Sequence, residues 1–204
     1  TYNGEKYISK QIDSILNQTY TEWRLLVRDD CSSDSTLTIL KQYQKKYSDK
    51  IYLLSDNINQ NIGVIKSFEF LLSQSTNNYI MFCDQDDIWL PNKIEESIKN
   101  IIELEKTKPH TPILIHSDLS IIDKNEKIIH KSLWKYAGIK PDILNHNAKY
   151  MAFCNSVTGC TILMNKQCKT AVLPFPNNIV MHDAWIAIKI CQKGIVHNIN
   201  KQLI

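Results

Sequence analysis

A chain of 204 residues, 43% hydrophobic and 22% charged, has the size of one folded domain with a sizeable core and the composition of an ordinary globular protein. A net charge of only +3, with no basic block, argues against nucleic acid as the main partner. No apolar run approaches the ~18 residues a membrane span needs, and the first residues show no signal-peptide pattern.

The six cysteines, at 31, 83, 154, 160, 168 and 191, form no C-x-x-C pair and sit among apolar neighbours. That reads as buried, reduced thiols in a cytoplasmic protein. "TYNGEKYISKQ" runs straight into a helical pattern without an initiator Met, so the natural protein is expected to begin earlier.

"EKYISKQIDSILNQ" puts Ile8, Ile12, Ile15 and Leu16 on one helical face. "WRLLV" is a short apolar run of the kind a buried parallel strand shows. "SSDSTLTILKQYQKKY" predicts a helix with Ser32 or Ser33 as N-cap and Leu37, Leu40 and Tyr43 as its stripe. Then come a strand in "KIYLLS", a loop in "NQNIG", a helix in "VIKSFEFLLSQS", a strand in "NYIMF", a helix in "LPNKIEESIKNIIELEK" and a strand in "PILIHSDLSIID". Such alternation implies an α/β fold with a mostly parallel sheet covered by helices on both faces. From about Lys127 the pattern is less regular. It holds "NSVTGCTILMN", a strand or turn pair, and "HDAWIAIKICQKG", a helix.

Two acidic clusters follow strands: Asp29 and Asp30 after "RLLV", and Asp84, Asp86 and Asp87 after "NYIMF". In an open α/β sheet, ligands bind beyond the carboxyl ends of the strands. Taken alone, "DDCSSD" reads first as a solvated turn capping the next helix. "DQDD" fails as an EF-hand: Glu95 stands at loop position 12, but Trp89 occupies the glycine position. A D-x-D pair offers hard oxygen ligands too few to enclose an ion, which suits Mg²⁺ or Mn²⁺ completed by water and substrate phosphates. The chemistry this points to is a metal holding a diphosphate as it leaves.

With "TYNGEKYISKQIDSILNQTY", "DDCSSDST", "NQNIG", "YIMFCDQDDIW" and "HDAW" in order, the sequence resembles the inverting family-2 glycosyltransferases of GT-A fold. The "CDQDDIW…KI" form looks closest to the bacterial rhamnosyltransferase-like branch that builds surface polysaccharides. The resemblance implies a Rossmann-like three-layer fold, one catalytic domain over residues 1–204. About 1–126 would bind the nucleotide sugar and about 127–204 the acceptor. It implies that Thr1, Tyr2 and Asn3 lie against the nucleobase and ribose, and that Asp29, in preference to Asp30, accepts from the pyrimidine. Asn61 and Gly63 would let backbone approach the nucleotide. Asp84 and Asp86 would be the D-x-D, Asp86 touching the metal directly; Gln85, Asp87 and Trp89 would flank the donor sugar. Asp183 would be the general base, with His182 and Trp185 beside it. The implied donor is dTDP-rhamnose, with a UDP-sugar as the alternative. The implied acceptor is a glycan, free or lipid-linked, at the inner face of the plasma membrane, and the mild basic balance is compatible with loose membrane association.

Bland readings stand beside these. His182 and Asp183 would serve as a helix cap, Trp185 as a core residue, Gly159 as a turn, His116 and Asp118 as structural residues, and Arg28 as the partner of a neighbouring acid. Two departures from the family count as well. Its first strand would precede Thr1, and a "YRQH"-like segment carrying a metal-binding His would follow "NINKQLI"; His197 comes too early for that part. The rivals are a nucleotidyltransferase, disfavoured by five unclustered glycines, a two-carboxylate glycoside hydrolase, and a truncated or degenerate domain that binds without turnover.

Overall fold

The computed structural model describes residues 1–55 and 60–204. Its first part runs α1 Ile8–Leu16, β1 Leu25–Val27, α2 Thr36–Lys46, β2 Ile51–Leu53, α3 Gly63–Gln74, β3 Tyr79–Met81, α4 Lys93–Thr107 and β4 Ile113–Asp118. These are the elements the periodicity predicts; in the "NQNIG" loop, Asn59 lies outside the described residues. Next come β5 Ile121–Ile122, β6 Ile128–His130, α5 Leu133–Ala137, α6 Pro141–Leu144 and α7 Ala148–Phe153. The chain ends through β7 Leu163–Asn165, α8 Lys166–Val172, α9 His182–Lys193 and β8 Ile195–Gln202.

The sheet is mixed where a mostly parallel one was expected. β1 pairs β2 in parallel, and a four-stranded sheet has the order β3-β7-β4-β8. β7 runs antiparallel to both its neighbours, while β4 and β8 are parallel. β7 follows a 3-10 turn at Gly159–Thr161 instead of a crossover helix, so alternation of elements gave no hint of its sense. The start of α2 also differs. Its N-cap is Ser35, and Asp34 does the capping by accepting from the N–H and hydroxyl of Thr36 at 3.0 and 2.5 Å. Ser32 and Ser33 are occupied elsewhere, on Asp29 and Asn3.

Strand alternation divides the core. Leu114, Met164 and Val196 point to a cluster with Leu72 of α3, Met151 of α7, Cys168 of α8 and Ile186 of α9. Ile113, Ile115, Leu163 and Ile199 face Ile101 of α4 on the other side. That is the three-layer arrangement. Ile8, Ile12, Val27, Leu40 and Ile51 tie α1 and α2 to the β1–β2 pair.

Among the described residues β1 and β3 do not pair with each other. Clefts of about 220 and 500 Å³ lie along them, lined by Leu25, Tyr79 and Met81 among others. Thr1 sits at the end of this slot. Its amino group donates to the Arg28 carbonyl at 2.7 Å, and its carbonyl accepts from Asp30 N–H at 2.8 Å. That is the bonding of one residue in a parallel ladder.

All six thiols are free, but Cys31 and Cys154 are exposed, against the expectation that all would be buried. Cys31 stands in the loop between β1 and α2 among polar neighbours, and Cys154 is the C-cap of α7. No helix among the described residues is long and apolar enough to cross a membrane.

Candidate active site

The loop after β1 is organised by carboxylates. Asp30 is buried and accepts from Arg28 Nη1 at 2.5 Å and from the Ile62 and Gly63 N–H groups, each at 2.8 Å. Burial pushes this carboxyl up, but the Ile62 N–H, the Arg28 guanidinium and the Gly63 N–H together hold it below the ordinary range. Arg28 is itself buried and also donates to Ser67 Oγ at 3.0 Å. Asp30 is therefore the fastening between the β1 loop and the Asn61–Gly63 loop. Gly63 has φ +83°, a left-handed backbone in which a side chain would be strained. Asn61 Nδ2 completes the join on the Asp30 carbonyl at 3.1 Å.

Asp29 is half-buried and accepts from the Ser32 hydroxyl at 2.6 Å and from Thr1 Oγ1 at 3.2 Å. Asn3, at φ +48°, donates from its N–H to Ser32 Oγ at 2.9 Å and accepts from Ser33 N–H at 2.8 Å. The first residues are thus pinned along the 29–33 loop.

These segments enclose a cleft of about 540 Å³ whose lining includes Thr1, Tyr2, Asp30, Asn61, Gly63, Asp84, Gln85 and Asp86. Eight of the residues singled out in the sequence meet there. Gln85 stands across its mouth, with its amide spent on the backbone of Tyr2.

The carboxylates of "DQDD" part company. Asp86 is exposed at the cleft. Asp84 and Asp87 turn inward, and their oxygens and Cys160 Sγ all lie within 4.8 Å of one another. Burial, then the charges of Asp87, Asp86 and Asp183, push Asp84 up to about 7. Burial also raises Asp87, opposed by a hydrogen bond from the Cys160 thiol, while burial and the nearby carboxylates push that thiol far up. Asp87 Oδ2 is buried with no hydrogen-bond partner among the described residues. An orphaned oxygen between converging ligand atoms fits a divalent cation, and two carboxylates suit Mg²⁺ or Mn²⁺. The grouping, Asp84 with Asp87 and Cys160, differs from the Asp84–Asp86 pair that spacing alone picks out. Beneath it lies Lys93, fully buried, with its ammonium 4.6 Å above the Trp89 ring and lowered by burial to about 8.

Asp183 heads α9. It accepts from Gly159 N–H at 3.1 Å and from Ala184 N–H at 2.6 Å. Gly159 is needed for closeness: a Cβ there would lie 3.1 Å from His182 Nε2 and 3.6 Å from the Asp183 Cβ. The half-buried Asp183 is close enough to Asp84 for its charge to raise that carboxyl. Residues 99 positions apart therefore converge at one place.

Three expected contact residues lie away from the cleft. Trp89 is buried with Ile15 and Ile94, its N–H donating to Ser14 Oγ at 3.0 Å. His182 is buried and stacked on Phe68 at 4.1 Å. Trp185 donates its indole N–H to the Val172 carbonyl at 3.0 Å and packs on the core. In each case an aromatic ring beside a charged motif belongs to the packing that holds the motif. His116 and Asp118 are structural too. His116 meets Asn145 Oδ1 at 3.2 Å, and Asp118 accepts from Ser132 Oγ, Gln202 Nε2, Leu119 N–H and Trp134 N–H. Cys160 and Lys93 were not anticipated. The first stood inside "NSVTGCTILMN", but its approach to Asp87 depends on β7 running beside β3.

The sequence matches the family described as "Glycosyl transferase family 2" over residues 1–156. It is 33% identical over 142 residues to the UDP-Glc:alpha-D-GlcNAc-diphosphoundecaprenol beta-1,3-glucosyltransferase WfgD of Escherichia coli, covering 68% of this chain and 54% of that protein. It is 36% identical over 105 residues to the dTDP-rhamnosyl transferase RfbG of Shigella flexneri, covering 50% of this chain and 36% of that protein. In fold it is similar to the mannosyltransferase PcManGT from Pyrobaculum calidifontis, solved with GDP-Man and Mn²⁺. The TM-score is 0.68 at 14% identity, over 98% of this chain and 52% of that one. The chain thus spans between about a third and about a half of the length of these proteins. With the family matched across three-quarters of its length and the GT-A architecture around the acidic cleft, the chain belongs to glycosyl transferase family 2.

Proposed function

We propose that this chain carries the catalytic site of an inverting glycosyltransferase that moves a sugar from a nucleoside diphosphate to an acceptor hydroxyl in bacterial polysaccharide synthesis. The observation that carries the reading is the convergence of Asp183, Asp86 and Asp87 on the inward-turned Asp84, which burial first and then those three charges push up to about 7. So much negative charge in one place suits a metal-bound diphosphate on one side and a hydroxyl losing its proton on the other.

In this reading Tyr2, Asn3 and Asp29 hold the base and ribose, and residues 1–126 form the donor half. The Asn61–Gly63 loop, kept open by Asp30, lets backbone approach the nucleotide. Asp84, with Asp86 or Asp87, holds Mg²⁺ or Mn²⁺, which when bound neutralises the departing diphosphate. Asp183 takes the proton of the acceptor hydroxyl as that oxygen attacks the anomeric carbon from the far face. Residues 127–204 form the acceptor half, working at the inner face of the membrane.

The donor we favour is dTDP-rhamnose, which the likeness to RfbG supports; the likeness to WfgD supports a UDP-sugar as the second reading. Incubating the protein and a lipid-linked acceptor with Mn²⁺ and each of dTDP-rhamnose, UDP-glucose and UDP-N-acetylglucosamine, and measuring the nucleoside diphosphate released as the sugar passes to the acceptor, separates them. Release from dTDP-rhamnose alone is the expected result, and release from UDP-glucose alone transfers the assignment to the second reading.

A further inference from the structure

We propose that Gln85 is a positioning residue that clamps the donor-side segment Thr1–Gly4 onto the acidic loop, so that nucleotide contacts and metal carboxylates are set as one unit; this rests on the reading of the site given above. Gln85 Oε1 accepts from the Tyr2 N–H at 2.9 Å, and its Nε2 donates to the Tyr2 carbonyl at 3.1 Å. A side-chain amide that both accepts from and donates to one residue's backbone reproduces the pair of bonds a neighbouring strand would make. Among the described residues, these two bonds are the hydrogen bonds joining residues 1–4 to residues 83–87.

The clamp is built on both sides. A Cβ on Gly4 would lie 2.5 Å from Gln85 Oε1 and 2.7 Å from its Cδ, so the seat exists because residue 4 is glycine. Gly4 cannot retreat to make room, since its N–H is tied to the Thr36 hydroxyl at 2.8 Å. The far side of the segment is fixed to the 29–33 loop through Asn3 and Ser32. In sequence Gln85 stands between Asp84 and Asp86, so its two bonds fix where residues 1–4 sit relative to both carboxylates. Tyr2 and Gln85 line the same cleft, with the Tyr2 ring half exposed beside it. A glutamine in a "DQDD" motif would ordinarily be assigned to substrate; here its hydrogen-bonding groups face the protein.

A double-mutant cycle of Gly4→Ala and Gln85→Ala, titrated in the presence of Mn²⁺ with whichever of dTDP, UDP and GDP the wild-type protein binds most tightly, tests the clamp. Each single change disturbs the same two hydrogen bonds and is expected to weaken that nucleotide by about tenfold. The double variant is expected to stay within about twofold of either single variant, because the alanine methyl has nothing left to displace. Mn²⁺ titrated alone should bind each variant within about twofold of the wild type, which a general loss of structure would not allow. Losses that multiply in the double variant, or wild-type nucleotide affinity in Gln85→Ala, would overturn the proposal. If the wild-type protein binds none of the three, it is the reading of the site that fails. The clamp is then judged by thermal unfolding of the same four proteins, where additive losses in Tm refute it and non-additive ones sustain it. Gln85→Glu, which keeps the acceptor and loses the donor, should fall between wild type and Gln85→Ala; equality with wild type counts against a two-bond clamp.

Discussion

Asp183→Asn is expected to slow sugar transfer by about 10²–10⁴-fold while nucleotide affinity stays within about twofold of wild type, the range for losing a positioned general base. The geometry separates the two effects. Asp183 is held by the Gly159 and Ala184 N–H groups at the head of α9, whereas the nucleotide cleft is lined by residues of the β1, Asn61–Gly63 and acidic loops. Asparagine keeps the volume but cannot take a proton, and its NH₂ would oppose one of those two donors. A companion Asp183→Ala, which removes the carboxylate without that conflict, should lose transfer to the same extent. Equal transfer rates for wild type and either variant, measured at saturating donor, would remove Asp183 from the role of base. A fall in nucleotide affinity matching the fall in rate would make it a structural cap.

The affinity of the metal-free protein for Mn²⁺ is expected to drop by about a hundredfold between pH 8 and pH 5. Asp84 releases its proton near pH 7 instead of near its ordinary 3.8. A cation must displace that proton, so each pH unit below 7 lowers apparent affinity about tenfold for one proton released. The sign for stability is the opposite of the usual carboxylate case. Between about pH 4 and pH 7 the folded chain holds a proton on Asp84 that the unfolded chain has lost, so the metal-free fold weakens as pH rises through that window. Saturating Mn²⁺ should abolish that slope by taking the proton's place, since neither the folded nor the unfolded chain then holds a proton on Asp84 in this window. Titrations at pH 5, 6, 7 and 8 check both statements, and a pH-independent Mn²⁺ affinity would show that Asp84 is not a ligand.

Most of the α/β frame was legible because the early elements have clean periods: Ile8, Ile12 and Ile15 on one face of α1, and Ile113 and Ile115 alternating with Leu114 in β4. The mixed sheet was not legible. The sense of β7 is fixed by its pairing with β3 and β4, where the partners of Met164, Ile80 and Leu114, lie 84 and 50 positions away. At the site, the sequence located the loops better than the side chains. Asp29 and Asp30 look alike in "DDCSSD", yet a buried guanidinium and two N–H groups claim Asp30 alone. Trp89, His182 and Trp185 adjoin charged motifs, and residue type could not tell a ring under a loop from a ring over a substrate. Gln85 and Gly4 were invisible as a pair, because their contact spans the molecule and involves backbone.

One measurement bears most directly on the reading of the acidic cleft as a metal-dependent nucleotide site: thermal unfolding of the protein with UDP, dTDP and GDP, each with and without Mn²⁺. A nucleotide present at about 100 times its Kd adds about 2.7 kcal/mol of stability, a readily visible rise in Tm. A rise is expected for one diphosphate, dTDP foremost, only when Mn²⁺ is present, and is expected to be lost in Asp84→Asn. A rise that needs no metal, or no rise with any of the three, would contradict that reading.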